Sequence, residues 1–322
     1  MNTGAADRGI QFSTDVLPKR DRLPYLREVF GRSIIGLDLQ PFQNRPLKWV
    51  ASMHAFEGLV VVSGRTDGII KRRTRSLLAD GNDDLLLTIN LSGVSLSSQV
   101  GRECQLGAGS AVLLSSSDVG GLDHPCATRY LTLFVPRRRL RAMVVNPEDA
   151  LMRPIPADNE ALRLLVDYVQ TALRKHQLTS QQVRQLFTTH VHDLIALVVG
   201  ATRETFETAH HRGLPAARLG AIKNDIVARL DNEGLNVTDV AERRGVTPRY
   251  VQMLFESEGI TFTEYVLAQR LARAHRMLAE PGLRSRTISA IAFEVGFGNL
   301  SYFNRVFRRQ FGMTPTEARR DE

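Results

Sequence analysis

The segment VTDVAERRGVTPRYVQMLF (residues 237–255) has the pattern of two short helices joined by a tight turn. Ala241 supplies the small side chain that two helices crossing at about 90–120° require where they approach each other. Gly245, four residues later, favours the left-handed backbone conformation in which many helices end. Thr247 can cap the second helix with its hydroxyl, and Pro248 fits the first helical position, which needs no backbone N–H. The segment is therefore predicted to form a helix-turn-helix.

The same spacing recurs in the segment ISAIAFEVGFGNLSYFNRVF (288–307). Ala292 and Gly296 correspond to Ala241 and Gly245, each 51 residues further along the chain. After one extra residue in the second turn, the positions of the following helices correspond at a distance of 52. Internal repetition of this kind indicates two copies of one supersecondary unit. The four small residues are predicted to hold the packing of both motifs.

The segment between the motifs, 261–280, has the apolar spacing of one long helix, with a predicted cap at Thr263 and a stop at Pro281. A helix of about 18 residues is roughly 27 Å long. One turn of B-DNA advances about 34 Å along its axis. Two recognition helices joined by such a rod are predicted to enter successive major grooves on one side of a duplex.

On the first recognition helix, Arg249, Gln252 and Met253 lie opposite the packing face, with Tyr250 at its edge. Arginine can donate twice to guanine, glutamine can pair with adenine, and an apolar side chain can contact the thymine methyl group. Thr247, as the cap, is expected to approach a phosphate, because helix N-termini bind anions. These five residues form the first predicted DNA-binding set.

The second recognition helix is predicted to present outward residues at the corresponding positions, and Asn299 is its predicted cap, close to phosphate. The outward residues are Leu300, Ser301, Asn304 and Arg305. Asn304 and Arg305 carry groups for base or phosphate contacts. A solvated or salt-bridged helix surface is the alternative interpretation of both sets.

Residues 221–320 resemble the DNA-binding domain of the AraC/XylS family of bacterial transcription regulators. The resemblance rests on the two segments above, on YVLAQRLARAHRML between them, and on the tail SYFNRVFRRQFGMTPTEAR. It implies an all-α domain with two helix-turn-helix motifs joined by a long helix. One departure is that FESEGIT is a residue shorter than its counterpart FRRQFGMT.

The first two hundred residues fall into a β-rich part, about 30–136, and a helical part, about 158–200. Short apolar runs separated by Gly, Asp and Asn predict an antiparallel barrel or sandwich. Two amphipathic helices at 158–200 predict a helical hairpin, with His190 as a hydrogen-bonded core or interface residue. LPKRDRLPYLREVFGR and LGAGSAVLLSSSD resemble the cupin-like sensor domains of the same family.

This resemblance implies a two-domain α+β protein whose cupin-like barrel binds a small-molecule effector or dimerises. The predicted domains are 1–201 for the effector-binding and dimerisation domain, 202–220 for a linker, and 221–322 for the DNA-binding domain. The family implies a homodimer through the helices at 158–200, double-stranded promoter DNA as partner, activation and contact with RNA polymerase.

Composition limits the class of protein without deciding its function. The chain of 322 residues has a formal net charge of +8, but residues 221–322 hold 15 Lys+Arg against 13 Asp+Glu. The basic runs 71–75 and 137–139 are expected to be solvated loops or strand ends. No apolar run is long enough for a membrane span and the N-terminus lacks a secretory pattern, so a cytoplasmic protein with no membrane partner is predicted. Cys104 and Cys126 could form one disulfide, but a reduced pair is favoured.

Trp49, His54, Phe56 and Arg75 are the candidate effector-binding residues of the β region, although the strand register cannot be set from sequence. Two alternatives stay open. A constitutive DNA-binding protein would use the first domain only for dimerisation. A cupin-type enzyme would need a cluster of His and carboxylate ligands, whereas the β region offers only His54 and His124, the latter in a predicted turn. No catalytic residue, metal or cofactor is therefore predicted.

Overall fold

The computed structural model describes residues 9–28, 31, 36–43, 47–174, 178, 180–202, 205, 207, 209 and 212–319. The chain divides into two compact units, Met1–Ala217 and Arg218–Glu322. Among the described residues, no helix combines the length and apolar character needed to cross a membrane. Cys104 and Cys126 are both free thiols.

The first unit contains two antiparallel sheets. Its strands are β1 (Ile10–Ser13), β2 (Asp38–Pro41), β3 (Lys48–Phe56), β4 (Leu59–Asp67), β5 (Ile69–Arg73), β6 (Leu85–Ser92), β7 (Ser95–Gln99), β8 (Arg102–Leu106), β9 (Ala111–Ser115), β10 (Gly120–His124) and β11 (Thr128–Val135). The larger sheet has the order β1-β3-β4-β11-β6-β9, and the smaller has the order β2-β5-β10-β7-β8. The prediction of an antiparallel β domain is confirmed. The two sheets pack face to face, but over the described strands they are not joined into a closed barrel.

The larger sheet is buried on both faces. On β6, Leu85, Leu87 and Ile89 pack against helices, whereas Leu86 and Thr88 face the smaller sheet. Side chains alternate between the two faces of a strand, so a sheet covered on both sides needs continuous apolar runs. This explains why β6 and β9 lack the apolar–polar alternation of a half-exposed strand.

The helices that accompany the sheets in the described part of the first unit include α1 (Lys19–Tyr25), α2 (Arg137–Arg141), α3 (Glu160–Arg174) and α4 (Gln181–Val199). The helices α3 and α4 pack together as the predicted hairpin. His190 is buried and its Nδ1 lies 2.8 Å from the Tyr168 hydroxyl, which confirms the predicted core histidine.

The start of α4 departs from the predicted packing. The sequence placed Val183 and Leu186 on the packed face, but they are 41% and 53% exposed. The buried stretch of the helix begins at Phe187, whose ring lies 5.0 Å from that of Phe56. The helical period is correct, but the described part of this unit leaves the first turns of the helix uncovered.

The second unit is helical. Its elements are α5 (Gly213–Ala228, which contains the boundary between the units), α6 (Val237–Arg243), α7 (Pro248–Glu256), α8 (Phe262–Ala279), α9 (Ile288–Glu294), α10 (Leu300–Phe311) and α11 (Pro315–Ala318). Because α5 begins at Gly213, the end of the predicted linker 202–220 is helical. Pro215 is compatible with this, since proline is tolerated in the first turn of a helix. Residues 203–204, 206, 208 and 210–211 of that linker lie outside the described residues.

Two hydrophobic cores share the long helix α8. Phe262 and Val266, near its start, belong to the first core, whereas Leu271, Ala274 and Leu278 belong to the second. One helix thus connects the two motifs and contributes to the packing of both.

The cap of α8 is Thr261 rather than the predicted Thr263. The Thr261 hydroxyl accepts from the Glu264 N–H, and the Glu264 carboxylate accepts from the Thr261 N–H. Such a reciprocal pair requires a Glu or Gln three residues after the cap, which the sequence offers at Thr261. Thr263 is instead the second residue of the helix.

Candidate nucleic-acid interface and cavity

The turn of the first helix-turn-helix closes as its sequence predicts. Ala241, a residue of α6, is fully buried, and Gly245 has a φ of 64°. The Val246 N–H donates to the Ala241 carbonyl at 3.0 Å, which satisfies a carbonyl at the end of the helix. A Cβ on Gly245 would meet no atom within 4 Å, so the glycine is needed for its φ rather than for space.

The second motif repeats this geometry. Ala292 is fully buried, Gly296 has a φ of 91°, and the Phe297 N–H donates to the Ala292 carbonyl at 3.0 Å. Gly296 differs from Gly245 in one respect, because a Cβ there would lie 2.1 Å from the carbonyl oxygen of Leu230. Both φ and space therefore require this glycine.

The first recognition helix, α7, presents Arg249, Gln252 and Met253 on one exposed face, as predicted. Met253 is 50% exposed and adds an apolar surface to this face. Thr247 caps the helix, and its hydroxyl accepts from the Tyr250 N–H at 3.2 Å. Spacing of about one helical turn brings the three side chains into one patch that offers donors, an acceptor and an apolar surface.

Tyr250 lies differently from its neighbours. It is half-buried and packs against the first core, and the Arg218 guanidinium lies 5.5 Å from the centre of its ring. We therefore assign Tyr250 to the support of the recognition helix rather than to its exposed face.

The second recognition helix, α10, exposes Ser301, Asn304 and Arg305 at the positions that correspond to those on α7. Its cap is Asn299, whose side-chain oxygen accepts from the Tyr302 N–H at 2.8 Å. Leu300, in contrast, is half-buried against the second core, because it is the first residue of the helix and turns toward Phe303 and its neighbours. The prediction that Leu300 points outward is wrong.

An exposed aromatic residue on α10 was missed by sequence reasoning. Tyr302 is 42% exposed, and the Arg305 guanidinium lies 5.5 Å from the centre of its ring. Its counterpart is Tyr250, 52 residues earlier, so the repeat itself carried the signal. The Arg305 guanidinium thus lies beside an aromatic ring, an arrangement that stabilises its positive charge.

Several arginines near the first motif are already paired within the protein. Asp225 of α5 is buried, and its Oδ2 accepts from Nε and Nη2 of Arg243 at 3.0 and 2.8 Å. Arg229 and Arg244 lie 3.5 and 3.7 Å from the same carboxylate. The Asp225 carboxylate therefore neutralises part of the positive charge beside the first motif.

Two family models match the chain. A helix-turn-helix domain matches residues 240–321, and an AraC-binding-like domain matches residues 26–199, which is more than half of the chain. The chain belongs to the AraC/XylS family. Its helix-turn-helix domain is of the type found in the transcription regulators of this family.

The relatives of this family member include named transcriptional activators. The transcriptional activator RhrA of Rhizobium meliloti is 35% identical over 170 residues, which are 53% of this chain and 52% of RhrA. The transcriptional activator NphR of a Rhodococcus species is 26% identical over 81% of this chain and 77% of its own. The crystal structure of the AraC-like transcriptional activator CuxR aligns over 83% of this chain and 94% of its own, at 14% identity and a TM-score of 0.49. The alignment with RhrA spans only about half of the length of that relative.

The AraC-binding-like domain of this family member contains a cavity of about 80 Å³ between its two sheets. Trp49 of β3 lines it and is 1% exposed. His54 and Phe56 are on the same strand but an odd number of positions away, so they point to the opposite face. His54 borders an outer groove, and Phe56 packs on Phe187. Of the four candidate effector-binding residues, the described structure brings Trp49 to the cavity.

The basic run 71–75 includes the end of strand β5, one of the two predicted positions, but the run is not solvated throughout as predicted. Lys71 and Arg73 are each 5% exposed, inside β5, and both line the cavity. Arg72 forms an ion pair with Asp123, whereas Arg75, the remaining effector candidate, lies exposed in the turn after the strand. Strand alternation places every second basic residue of the run inside the domain.

The enzyme alternative requires a group of metal ligands, of which His124 is one candidate. The sequence predicts a turn at His124. His124 instead ends β10, is fully buried, and its Nδ1 lies 2.8 Å from the Ser95 hydroxyl. Burial and the neighbouring Lys71 ammonium lower its pKa well below 6.5. In the described part of the chain, no three His, Cys, Asp or Glu residues meet as a metal-ion site.

Proposed function

We propose that this chain is an effector-responsive activator that binds a specific DNA sequence by inserting α7 and α10 into successive major grooves. The observation that carries the proposal is the repetition of one exposed surface. Arg249, Gln252 and Met253 on α7 correspond to Ser301, Asn304 and Arg305 on α10, each pair 52 residues apart. Solubility alone would not require the same exposed positions, caps and turn geometry to occur in both motifs.

The spacing of the helices supports the same proposal. The connecting helix α8 has 18 residues and packs into both cores. At about 1.5 Å per residue it is roughly 27 Å long. This length is comparable with the roughly 34 Å between successive major grooves on one side of B-DNA.

Each exposed side chain has a role that its chemistry supports. Arg249 and Gln252 supply the paired donors and acceptors that read guanine and adenine, and Met253 suits the thymine methyl group. Arg305 and Asn304 supply base or phosphate contacts on the second groove. The N-termini of α7 and α10, capped by Thr247 and Asn299, lie where backbone N–H groups bind phosphate.

The first unit supplies a sensor and a dimer contact in this proposal. The cavity beside Trp49 is the effector site. The exposed Val183 and Leu186 on α4 form an apolar patch that a second copy of the α3–α4 hairpin would cover. Dimerisation would double the DNA contacts of a domain whose net charge is small. As an activator, the DNA-bound dimer would contact RNA polymerase, in the cytoplasm.

The test is a selection of DNA sequences by the purified full chain from a random duplex pool, at about 0.15 M salt because affinity depends on salt. The proposal predicts that each bound chain selects two short motifs whose centres lie about 10–11 base pairs apart, so that a dimer selects two such pairs. Enrichment of a single motif per chain, or none, would contradict it. Repeating the selection with Arg249→Ala should erase preference at positions within one motif of each pair.

A further inference from the structure

Lys71 carries a buried ammonium group that has no anionic or carbonyl partner among the described residues. Its side chain extends from β5 into the cavity between the sheets, and the residue is 5% exposed. The Nζ atom lies 4.1 Å from the ring centre of Tyr130 and 5.0 Å from that of Trp49. The described residues that line the cavity include no Asp or Glu.

Arg73, two positions further along the same strand, is a buried cation whose charge is paired within the domain. Its guanidinium donates to the Asp80 carboxylate at 2.6 and 2.7 Å. It also donates to the carbonyls of Gly36 at 2.7 Å and Ser116 at 2.8 Å. Arg73 is thus hydrogen-bonded through all three guanidinium nitrogens. Lys71 is equally buried, but the contacts of its ammonium group are with two aromatic rings.

An unpaired buried ammonium weakens the folded state, because removal of charge from water is unfavourable. Burial lowers the pKa of Lys71 to about 7. A methionine of similar length would fill the same space without this cost. Residues that weaken a fold without local compensation concentrate at functional sites, so the position of Lys71 points to a ligand.

We propose that this cavity binds a short-chain monocarboxylate, whose anionic group pairs with the Lys71 ammonium and whose carbon chain packs against the apolar wall. The wall is formed by Trp49, Val62, Leu86, Leu122 and Phe134. The inference rests on the proposed function in one respect, since the bound acid is the effector that the first unit senses.

Tyr130 completes the head-group site. Its hydroxyl accepts from the Trp49 Nε1–H at 2.6 Å, which leaves its own O–H free to donate to a carboxylate oxygen. Such charge-assisted hydrogen bonds are about twice as strong as neutral ones. The ligand would therefore be held by an ammonium and a phenol on opposite sheets, β5 and β11.

The size of the cavity limits the carbon chain. Its volume is about 80 Å³, while an engineered apolar cavity of about 150 Å³ binds benzene. On this scale a cavity of about half that volume holds about three to five heavy atoms, against the six of benzene, which corresponds to acids of about one to three carbons. The probes are therefore formate, acetate and propionate, with butyrate and longer acids excluded.

Trp49 makes the test direct, because it is the single tryptophan of the chain and lines the cavity. Titration of the full chain with each acid and with its primary amide should change Trp49 fluorescence in a saturable way. The acid should bind at least tenfold more tightly than the amide. Equal affinity for acid and amide, or no saturable binding by any of the three acids, overturns the proposal.

The variant Lys71→Met tests the ammonium itself, with Lys48→Met as the matched control on an exposed lysine. Lys71→Met should lose at least tenfold in affinity for the acids and keep the affinity for the amides, whereas Lys48→Met should behave as wild type. Unchanged acid binding by Lys71→Met overturns the proposal. If the variant fails to fold, the acid-to-amide ratio of the wild type decides.

The same preparations separate this inference from the proposed function. Loss of acid binding with intact sequence-specific DNA binding counts against the carboxylate site alone. Intact acid binding with no sequence-specific DNA binding counts against the proposed function alone. If both hold, addition of the acid should change transcription from a reporter that carries the selected DNA.

Discussion

Arg270 of α8 donates from Nε to the carbonyl oxygen of Leu230 at 3.1 Å and from Nη2 to that of Asn232 at 2.6 Å. Both carbonyls lie between α5 and α6, at the entrance to the first motif. Gly296, in the turn of the second motif, lies against the same atoms: a Cβ there would be 2.9 Å from the Arg270 side chain. One arginine thus ties the connecting helix to the entrance of the first motif, and the turn of the second motif packs closely beside this contact.

This relationship predicts unequal effects for the two turn glycines. Gly245→Ala should destabilise the second unit by about 1–2 kcal/mol, because alanine is strained at positive φ but meets no atom. Gly296→Ala should cost distinctly more, because its Cβ would also collide with the Leu230 carbonyl. Urea unfolding of the full chain, followed by far-ultraviolet circular dichroism, measures both. Equal losses would show that the contact with Leu230 is not limiting.

Arg249→Ala should weaken binding to the selected DNA by about 1–3 kcal/mol, the range for loss of a bidentate arginine–guanine contact. Binding to unrelated duplexes should change little, because α7 is expected to read bases. Arg276→Ala, on the exposed side of α8, is the matched control and should leave specificity intact. Fluorescence anisotropy with both DNAs makes the comparison. An equal loss on specific and unrelated DNA would assign Arg249 to phosphate instead.

Leu186→Glu should convert the proposed dimer to a monomer, because it places a charge in the apolar patch on α4. Leu186 is 53% exposed, so the substitution should leave the fold of the isolated chain unchanged. Val145→Glu, at an 85% exposed residue outside the hairpin, is the control. Analytical ultracentrifugation gives the oligomeric state. A Leu186→Glu protein that sediments like the wild type would exclude this patch as the dimer contact.

The unpaired Lys71 predicts a pH-dependent stability. Its pKa is about 7 in the folded chain against 10.5 for an exposed lysine, so between these values the unfolded chain holds a proton that the folded chain lacks. Stability therefore gains from this group as pH rises through that window, and the penalty is full below pH 7.

Lys71→Met should accordingly be more stable than wild type at pH 6–7, and this advantage should shrink towards pH 10. Two neighbours stay neutral in the window, since burial lowers the pKa of His124 and raises that of Tyr130. Urea midpoints at several pH values give the difference, with Lys48→Met as reference. A difference that does not vary with pH would mean that Lys71 is uncharged or solvated throughout.

The helical unit could be predicted closely because its information is local. Alanine and glycine spacing, caps and the 3.6-residue period are all set within a few turns of chain, and the repeat supplied an internal check. The errors there are also local: Thr261 rather than Thr263 caps α8, and Leu300 packs inward as the first residue of its helix. Each concerns the first turn of a helix, where the period has not yet fixed the direction of a side chain.

The β unit was predictable in class but not in its site. A strand alternates with a period of two, so an error of one position exchanges its two faces. The register that places Lys71 inside, beside Leu39 and Leu122 on neighbouring strands, depends on pairings far apart in sequence. A basic run ordinarily indicates solvent, and nothing local distinguishes Lys71 from Arg72. Trp49 and Lys71 meet only because the two sheets pack face to face.

Two recognition helices of one chain are proposed to read successive major grooves. Methylation interference on the selected DNA is the decisive measurement, because it reports guanine N7 atoms in the major groove. We predict two clusters of interfering guanines about 10–11 base pairs apart per bound chain, of which Arg249→Ala removes one and Arg305→Ala weakens the other. A single cluster, or the loss of the same cluster in both variants, would contradict the account.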